Sequence, residues 1–207
     1  MLKTALVLGA TGLVGKTLVE QLCRDHRYET ITCLLRKPLS KDFFATDTAK
    51  VQPIVVNFED LQDYQGYFGA QHIYICLGTT IKKAGSKSAF RKVDFEYVHI
   101  AAQLARAQRA VSFVWISCVG ANAKSHNFYL RVKGELENAI ISMSGLDNAC
   151  AVRPSLLLGE REDVRPAEKM ASMLSPFLSP MLIGRLSKYK PVQAADVAAK
   201  MIRLQVF

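Results

Sequence analysis

Tyr129 and Lys133 lie four residues apart, a spacing that puts two side chains on one face of a helix, and Ser117 lies twelve residues before the tyrosine. A phenol, an ammonium and a hydroxyl in that order suit proton transfer to an oxygen atom. Reduction of a carbonyl needs a proton as hydride reaches the carbon. A free phenol, with a pKa of about 10, holds its proton too tightly to cycle near neutrality. A nearby ammonium stabilises the phenolate. The expected roles follow: Tyr129 as acid–base, Lys133 as the charge that lowers its pKa and as a holder of ribose hydroxyls, and Ser117 as the group that orients the substrate oxygen. A Tyr-x-x-x-Lys pair is common by chance, so its weight comes from its place after a strand-end serine and behind a glycine turn.

The hydride needs a carrier, and the first residues describe where one would bind. A short apolar run, Ala5-Leu6-Val7-Leu8, ends in Gly9-x-x-Gly12-x-x-Gly15, and an amphipathic helix pattern begins at once with Leu13, Leu18, Val19 and Leu22. A backbone without Cβ atoms lets a pyrophosphate approach closely, and the open helix end offers N–H donors and a positive dipole. Gly9, Thr11, Gly12, Leu13, Val14 and Gly15 are the cofactor-binding candidates of this turn. The second strand ends in Arg36-Lys37, where an acidic residue would accept from a ribose 2′-hydroxyl and a basic one would pair with a 2′-phosphate. NADP(H) is therefore favoured over NAD(H). Asn57 and Phe58 follow the third strand, where Asn57 could meet the adenine edge. Leu77, Gly78 and Thr79 form a second small-residue turn on the cofactor path, and Arg153 is a further candidate after the sixth strand.

These residues need a scaffold. Strand signals occur near 4–8, 30–35, 51–56, 72–77, 111–117 and 148–153, each a short β-rich run suited to a buried parallel sheet. Helix signals occur near 13–25, 59–68, 88–109, 128–144 and 194–205. That alternation predicts an α/β fold, a doubly wound parallel sheet of the Rossmann NAD(P)-binding type, as one domain over residues 1–207. Residues 155–191 break the rhythm: Arg161-Glu162-Asp163-Val164-Arg165-Pro166 is polar and turn-like, and the apolar stretch from Met170 to Ile183 is interrupted by Pro176 and Pro180. They read as a lid over a substrate cleft, a packing element or a dimer contact.

Composition narrows the field. Half of the 207 residues are hydrophobic, and no apolar run is long enough to cross a bilayer. The first strand begins almost at the N-terminus, which leads to the expectation of a cytoplasmic protein. Five cysteines contain no Cys-x-x-Cys pair and the four histidines no helical spacing, so no metal site is expected. The net charge is +9, with Lys82, Lys83, Lys87, Arg91 and Lys92 forming the dense stretch. No repeated aromatic–basic pattern supports a nucleic-acid surface, so the charge reads as a solvated face that partly serves an anionic cofactor or substrate.

Together the residues resemble the short-chain dehydrogenase/reductase superfamily in its atypical or extended branch. The chain is similar within it to the Tat-interactive-protein group of NADPH-dependent oxidoreductases. The stretches that carry the likeness are Gly9-Ala10-Thr11-Gly12, Cys76-Leu77-Gly78-Thr79-Thr80 with Lys83-Ala84-Gly85, Val93-Asp94 with Tyr97-Val98, Tyr129-Leu130-x-Val132-Lys133-Gly134-Glu135, and Val152-Arg153-Pro154. The resemblance implies NADP(H) and the roles given above for Ser117, Tyr129 and Lys133. It also implies an asparagine on the fourth helix that holds a relay water, and Asp94 stands nearest to that place.

The leading expectation is an NADP(H)-dependent oxidoreductase that moves hydride between the nicotinamide and a carbonyl or alcohol. The substrate is a small molecule, with an apolar character suggested by residues 170–183 and an anionic end that Arg153 or Lys83 could meet. The alternative is a non-catalytic NADPH-binding redox sensor that acts through a protein partner. Epimerisation or dehydration of a sugar ranks last. A homodimer formed through a long helix such as 88–109 stays open.

Overall fold

Strand and helix alternate from the start of the chain, in a computed structural model that describes residues 2–40, 42–155, 157–158 and 191–207. β1 (Lys3–Leu8) leads into α1 (Leu13–Arg24), β2 (Tyr28–Leu35) and β3 (Val51–Val55). A 3₁₀ segment (Phe58–Gly69), β4 (His72–Ile75), α2 (Ile81–Ala84), α3 (Lys87–Arg91) and a π-helical turn (Lys92–Glu96) come next. They are followed by α4 (Tyr97–Ala107), β5 (Ser112–Ile116), α5 (Phe128–Ile141) and β6 (Ala149–Val152). The two-residue strands β7 (Leu157–Leu158) and β8 (Val192–Gln193) pair in parallel, and α6 (Ala194–Arg203) follows.

β1 to β6 form one parallel sheet in the order β3-β2-β1-β4-β5-β6. The order reverses between β1 and β4, the switch point at which such sheets open a crevice at the carboxyl ends of their strands. The expected Rossmann-type α/β fold is what the chain adopts. β1 shows why its sequence reads as a continuous apolar run: Ala5 and Val7 enter one core with Leu18, Leu22 and Met201, while Leu6 and Leu8 enter the other with Phe68, Val98 and Trp115. A strand covered on both faces has no polar side to alternate.

Two expectations change. Residues 59–68 were expected as a helix and form a 3₁₀ segment broken at Asp60 and Tyr64. The Asn57 side chain accepts from the Glu59 amide at 3.1 Å and donates to Asp60 at 2.6 Å, so local polar side chains compete with an α-helical ladder. The long helix expected over 88–109 is instead α3, a π turn and α4, preceded by α2. Gly85, with φ +87°, ends α2, and Ser86 caps α3 by accepting from the Ala89 amide at 3.0 Å. The irregular segment at 155–191 lies largely outside the described residues. Elsewhere the expected elements hold to within a few residues at their ends.

Candidate functional site

The glycine turn is shaped by contacts that leave no room for a side chain. Gly9 has φ +87°, and a Cβ there would lie 2.6 Å from the Cys76 carbonyl carbon, so the turn packs directly on the end of β4. Gly15, inside the first turn of α1, would drive a Cβ into the Gly9 carbonyl. Gly12 differs, because it is exposed, caps α1 and has its nearest neighbour for a Cβ at 3.4 Å. The open end of α1 is therefore presented by Thr11 and Gly12, both exposed. Leu13 and Val14 pack against the core, so their part in a phosphate cradle would be through the backbone.

Arg36, Val55, Val56, Asn57, Phe58, Glu59, Val93 and Tyr97 line a cavity of about 520 Å³ beyond the ends of β2 and β3. Arg36 and Lys37 are both exposed, and only Arg36 reaches this wall. Phe58 is buried, with its ring 5.6 Å from that of Tyr97. Asn57 spends its side chain on capping the 3₁₀ segment, which changes its expected free use at a base edge. Tyr97 donates to Glu59 at 2.6 Å, and the Lys92 ammonium lies 2.5 Å from the same carboxylate. The Lys92 contact holds Glu59 below its usual range, while burial, with help from Glu59, pushes Tyr97 up to about 12. Tyr97, Glu59 and Val93 were not among the expected binding residues. The signals for them in the sequence were the Val93-Asp94 and Tyr97-Val98 pairs of the family likeness, and Glu59 had none.

Lys133 and Tyr129 of α5 both reach the segment at the end of β5 that carries Ser117, at Ile116 and Cys118 respectively. Lys133, only 3% exposed, donates to the Ile116 carbonyl at 3.4 Å. Ser117 is anchored by its amide, which donates to the Val152 carbonyl at 2.7 Å, and its hydroxyl is buried without a protein partner. Tyr129 stands at the start of α5, with its ring 5.5 Å from Phe90. Its side chain shares a hydrogen bond with Cys118. Burial raises the Cys118 thiol above its ordinary value, and the Lys133 charge and the Tyr129 bond work against that rise. The helix is pressed onto this loop because Gly134 has no side chain: a Cβ there would collide with Asn122 and Ala123.

The turn after β4 is tied to the same cluster. Thr79 donates its amide to Asp94 Oδ2 at 2.8 Å, and Asp94 Oδ1 lies 2.8 Å from Lys133 Nζ. Leu77 leans on the core, and Gly78 is exposed beside Asp94. The place of the expected relay asparagine is thus held by a buried carboxylate in ion-pair contact with Lys133. Arg153 is taken up by Glu137, whose carboxylate it meets through Nε at 2.9 Å and 3.1 Å. Glu137 is 2% exposed and was not singled out from sequence, since an acidic residue in a helix reads as solvated.

A nucleotide fits these features: an exposed helix N-terminus behind a glycine turn, a cavity beside a cation, and a buried hydroxyl with no protein partner. Among the described residues, no cluster suited to a metal ion occurs and no helix is long and apolar enough to cross a membrane.

A family model described as NAD(P)H-binding matches residues 9–174. Protein HTATIP2 of Rattus norvegicus is 34% identical over 170 residues, 82% of this chain and 69% of that protein, which bears out the resemblance to the Tat-interactive-protein group. The mitochondrial protein FMP52 of Debaryomyces hansenii is 34% identical over 208 residues, 97% of this chain and 87% of its own. Among solved structures, the Bordetella bronchiseptica enzyme WbmH in complex with NAD+ matches with a TM-score of 0.72 at 14% identity. It covers 99% of this chain and 72% of WbmH, a likeness of fold. The expected cytoplasmic location is corrected by these relatives, because FMP52 proteins from several yeasts are named as mitochondrial. A compartment is set by targeting segments that are read separately from the fold, so an early first strand carries no information about it.

Proposed function

Because the chain belongs to the NAD(P)H-binding family, we propose that it is an NADP(H)-dependent oxidoreductase acting on a carbonyl or alcohol, with residues 1–207 as one domain. The observation that supports this reading is that Lys133 and Tyr129 of α5 both reach the segment at the end of β5 on either side of Ser117, with Lys133 tied through Asp94 to the turn that packs on Gly9. The nicotinamide, when bound, supplies or accepts the hydride. Tyr129 passes a proton to the substrate oxygen and recovers it from solvent. The Lys133 ammonium steadies the phenolate and holds ribose hydroxyls. The Ser117 hydroxyl, which has no partner in the protein, donates to the substrate oxygen and sets its direction.

On the other side of the switch point, Thr11, Gly12 and the amides at the start of α1 take the pyrophosphate. Arg36, on the wall of the cavity, pairs with a ribose 2′-phosphate, which favours NADP(H) over NAD(H). Phe58 and Tyr97 offer ring faces to the adenine. Lys37 adds charge from outside the cavity.

The test is NADPH consumption with a broad panel of carbonyl compounds, wild type beside Tyr129→Phe, with cofactor binding measured for both. Turnover that disappears in Tyr129→Phe while NADPH binding persists supports the assignment. A Tyr129→Phe protein as active as the wild type rejects it.

A further inference from the structure

Lys133 and the turn after β4 approach the site from different elements, and one buried carboxylate touches both. Asp94 is 1% exposed and sits in the π turn, between Val93 and Phe95, which are only partly buried. The wider turn is a recurrent device for bringing a functional side chain out of helical register. Its Oδ2 accepts the Thr79 amide at 2.8 Å, and its Oδ1 lies 2.8 Å from the Lys133 ammonium.

The donor inventory shows what a carboxylate can do here and an amide cannot. An asparagine carries one acceptor and one donor group, so it can accept from Thr79 and hold a water. An aspartate has only acceptors and a charge. With Thr79 on one oxygen, the other faces a cation. Lys133 has three N–H groups: one donates to the Ile116 carbonyl at 3.4 Å, the ammonium as a whole lies in ion-pair contact with Asp94, and donor capacity remains for a ligand. A buried ammonium that lost its carboxylate partner would be left uncompensated, held only by its 3.4 Å bond to the Ile116 carbonyl.

We propose that Asp94 is a positioning residue for the cofactor. It joins the Lys133 ammonium and the Thr79 backbone into one unit, so that the groups meeting the nicotinamide half are set before the nucleotide arrives. The proposal rests on the reading of the site given above, with Lys133 at the ribose. It replaces a water relay at this position with a charged brace.

The experiment is calorimetric titration of the full chain with NADPH and with adenosine 2′,5′-bisphosphate, a probe that lacks the nicotinamide half. The proteins are wild type, Asp94→Asn, Lys133→Met and the double variant. Asp94→Asn keeps an acceptor for Thr79 and removes the charge that faces Lys133. All three variants are expected to lose about tenfold in NADPH affinity, within about twofold of one another, because each breaks the same unit. Their affinity for adenosine 2′,5′-bisphosphate should match the wild type, an outcome that a merely disrupted fold would not give.

If Lys133→Met, with its unpaired buried carboxylate, fails to fold, the comparison of Asp94→Asn with the double variant carries the same test. Losses that multiply in the double variant overturn the proposal, as does an Asp94→Asn protein that binds NADPH like the wild type. Equal losses for both probes overturn it too. A wild type that binds neither probe rejects the cofactor reading itself, and this proposal with it.

Discussion

Arg153, just past β6, engages both carboxylate oxygens of Glu137 on α5, through Nε at 2.9 Å to Oε1 and 3.1 Å to Oε2, with Nη2 also bonded to Oε2. Glu137 is buried, whereas about half of the Arg153 side chain remains in solvent. The guanidinium is thus committed to neutralising an interior charge. It still lines a small cavity with Asn122, Lys124 and Asn138, so an anion there would meet it only by sharing.

Arg153→Ala leaves the Glu137 carboxylate buried and unpaired. The expected cost is about 2 kcal/mol, below the 3–5 kcal/mol typical of fully buried pairs because solvent screens the exposed guanidinium. Adding Glu137→Gln should restore more than half of the loss. Urea melts of the four proteins in this cycle check it, and equal stability of Arg153→Ala and wild type would show that the pair is only a surface contact.

The glycines of the turn separate folding from binding. Gly9→Ala meets both a positive φ and the Cys76 backbone, so it should destabilise the protein by about 3 kcal/mol or more. Gly12→Ala has ordinary van der Waals room within the protein and should leave the melting temperature nearly unchanged. Its methyl group instead occupies the space a pyrophosphate needs, and NADPH affinity should fall at least tenfold. Melting and nucleotide titration of both variants read the two effects apart.

Arg36 and Lys37 differ in reach. Arg36→Ala removes the guanidinium on the cavity wall and should reduce the preference for NADPH over NADH about tenfold, the scale of one charge-assisted bond. Lys37→Ala should shift that preference about twofold. A preference that survives Arg36→Ala intact would place the 2′-phosphate elsewhere.

Acid sensitivity should arise at the opposite end of the sheet. Tyr28, His72 and Tyr74 are buried there, with Tyr28 Oη 2.7 Å from both His72 Nδ1 and Tyr74 Oη. The Val206 carbonyl can only accept, so His72 Nε2 donates to it at 2.8 Å and Nδ1 is the acceptor for Tyr28. Burial holds His72 below its ordinary value of 6.5. The folded protein then binds fewer protons than the unfolded chain in this range, so stability is fully present above about pH 6.5 and declines as pH falls toward the folded value. Thermal melts from pH 7.5 to 5 should show that decline, and His72→Asn should flatten it. Asp25 and Glu59, both held low by basic partners, contribute only near and below pH 4.

The amino-acid sequence by itself determined the order of strands and helices, the parallel sheet and the glycine turn. These are legible because burial on two faces, helical periodicity and the absence of Cβ atoms leave local marks. It also determined that Ser117 ends a strand and that Tyr129 and Lys133 share a helix face, since strand ends and four-residue spacing are local as well. Residues 59–68 misled because Asn57 and Asp60 satisfy the backbone with their own side chains, a competition that apolar spacing does not record. Only the tertiary structure decided that Asp94 meets Lys133, that Glu137 occupies Arg153, and that Tyr97 closes a cavity with Arg36. Each pair joins different elements, beyond the reach of a local pattern, and what selects the partner is the shared cost of burying a charge or a ring, which exists only once the strands have brought them together.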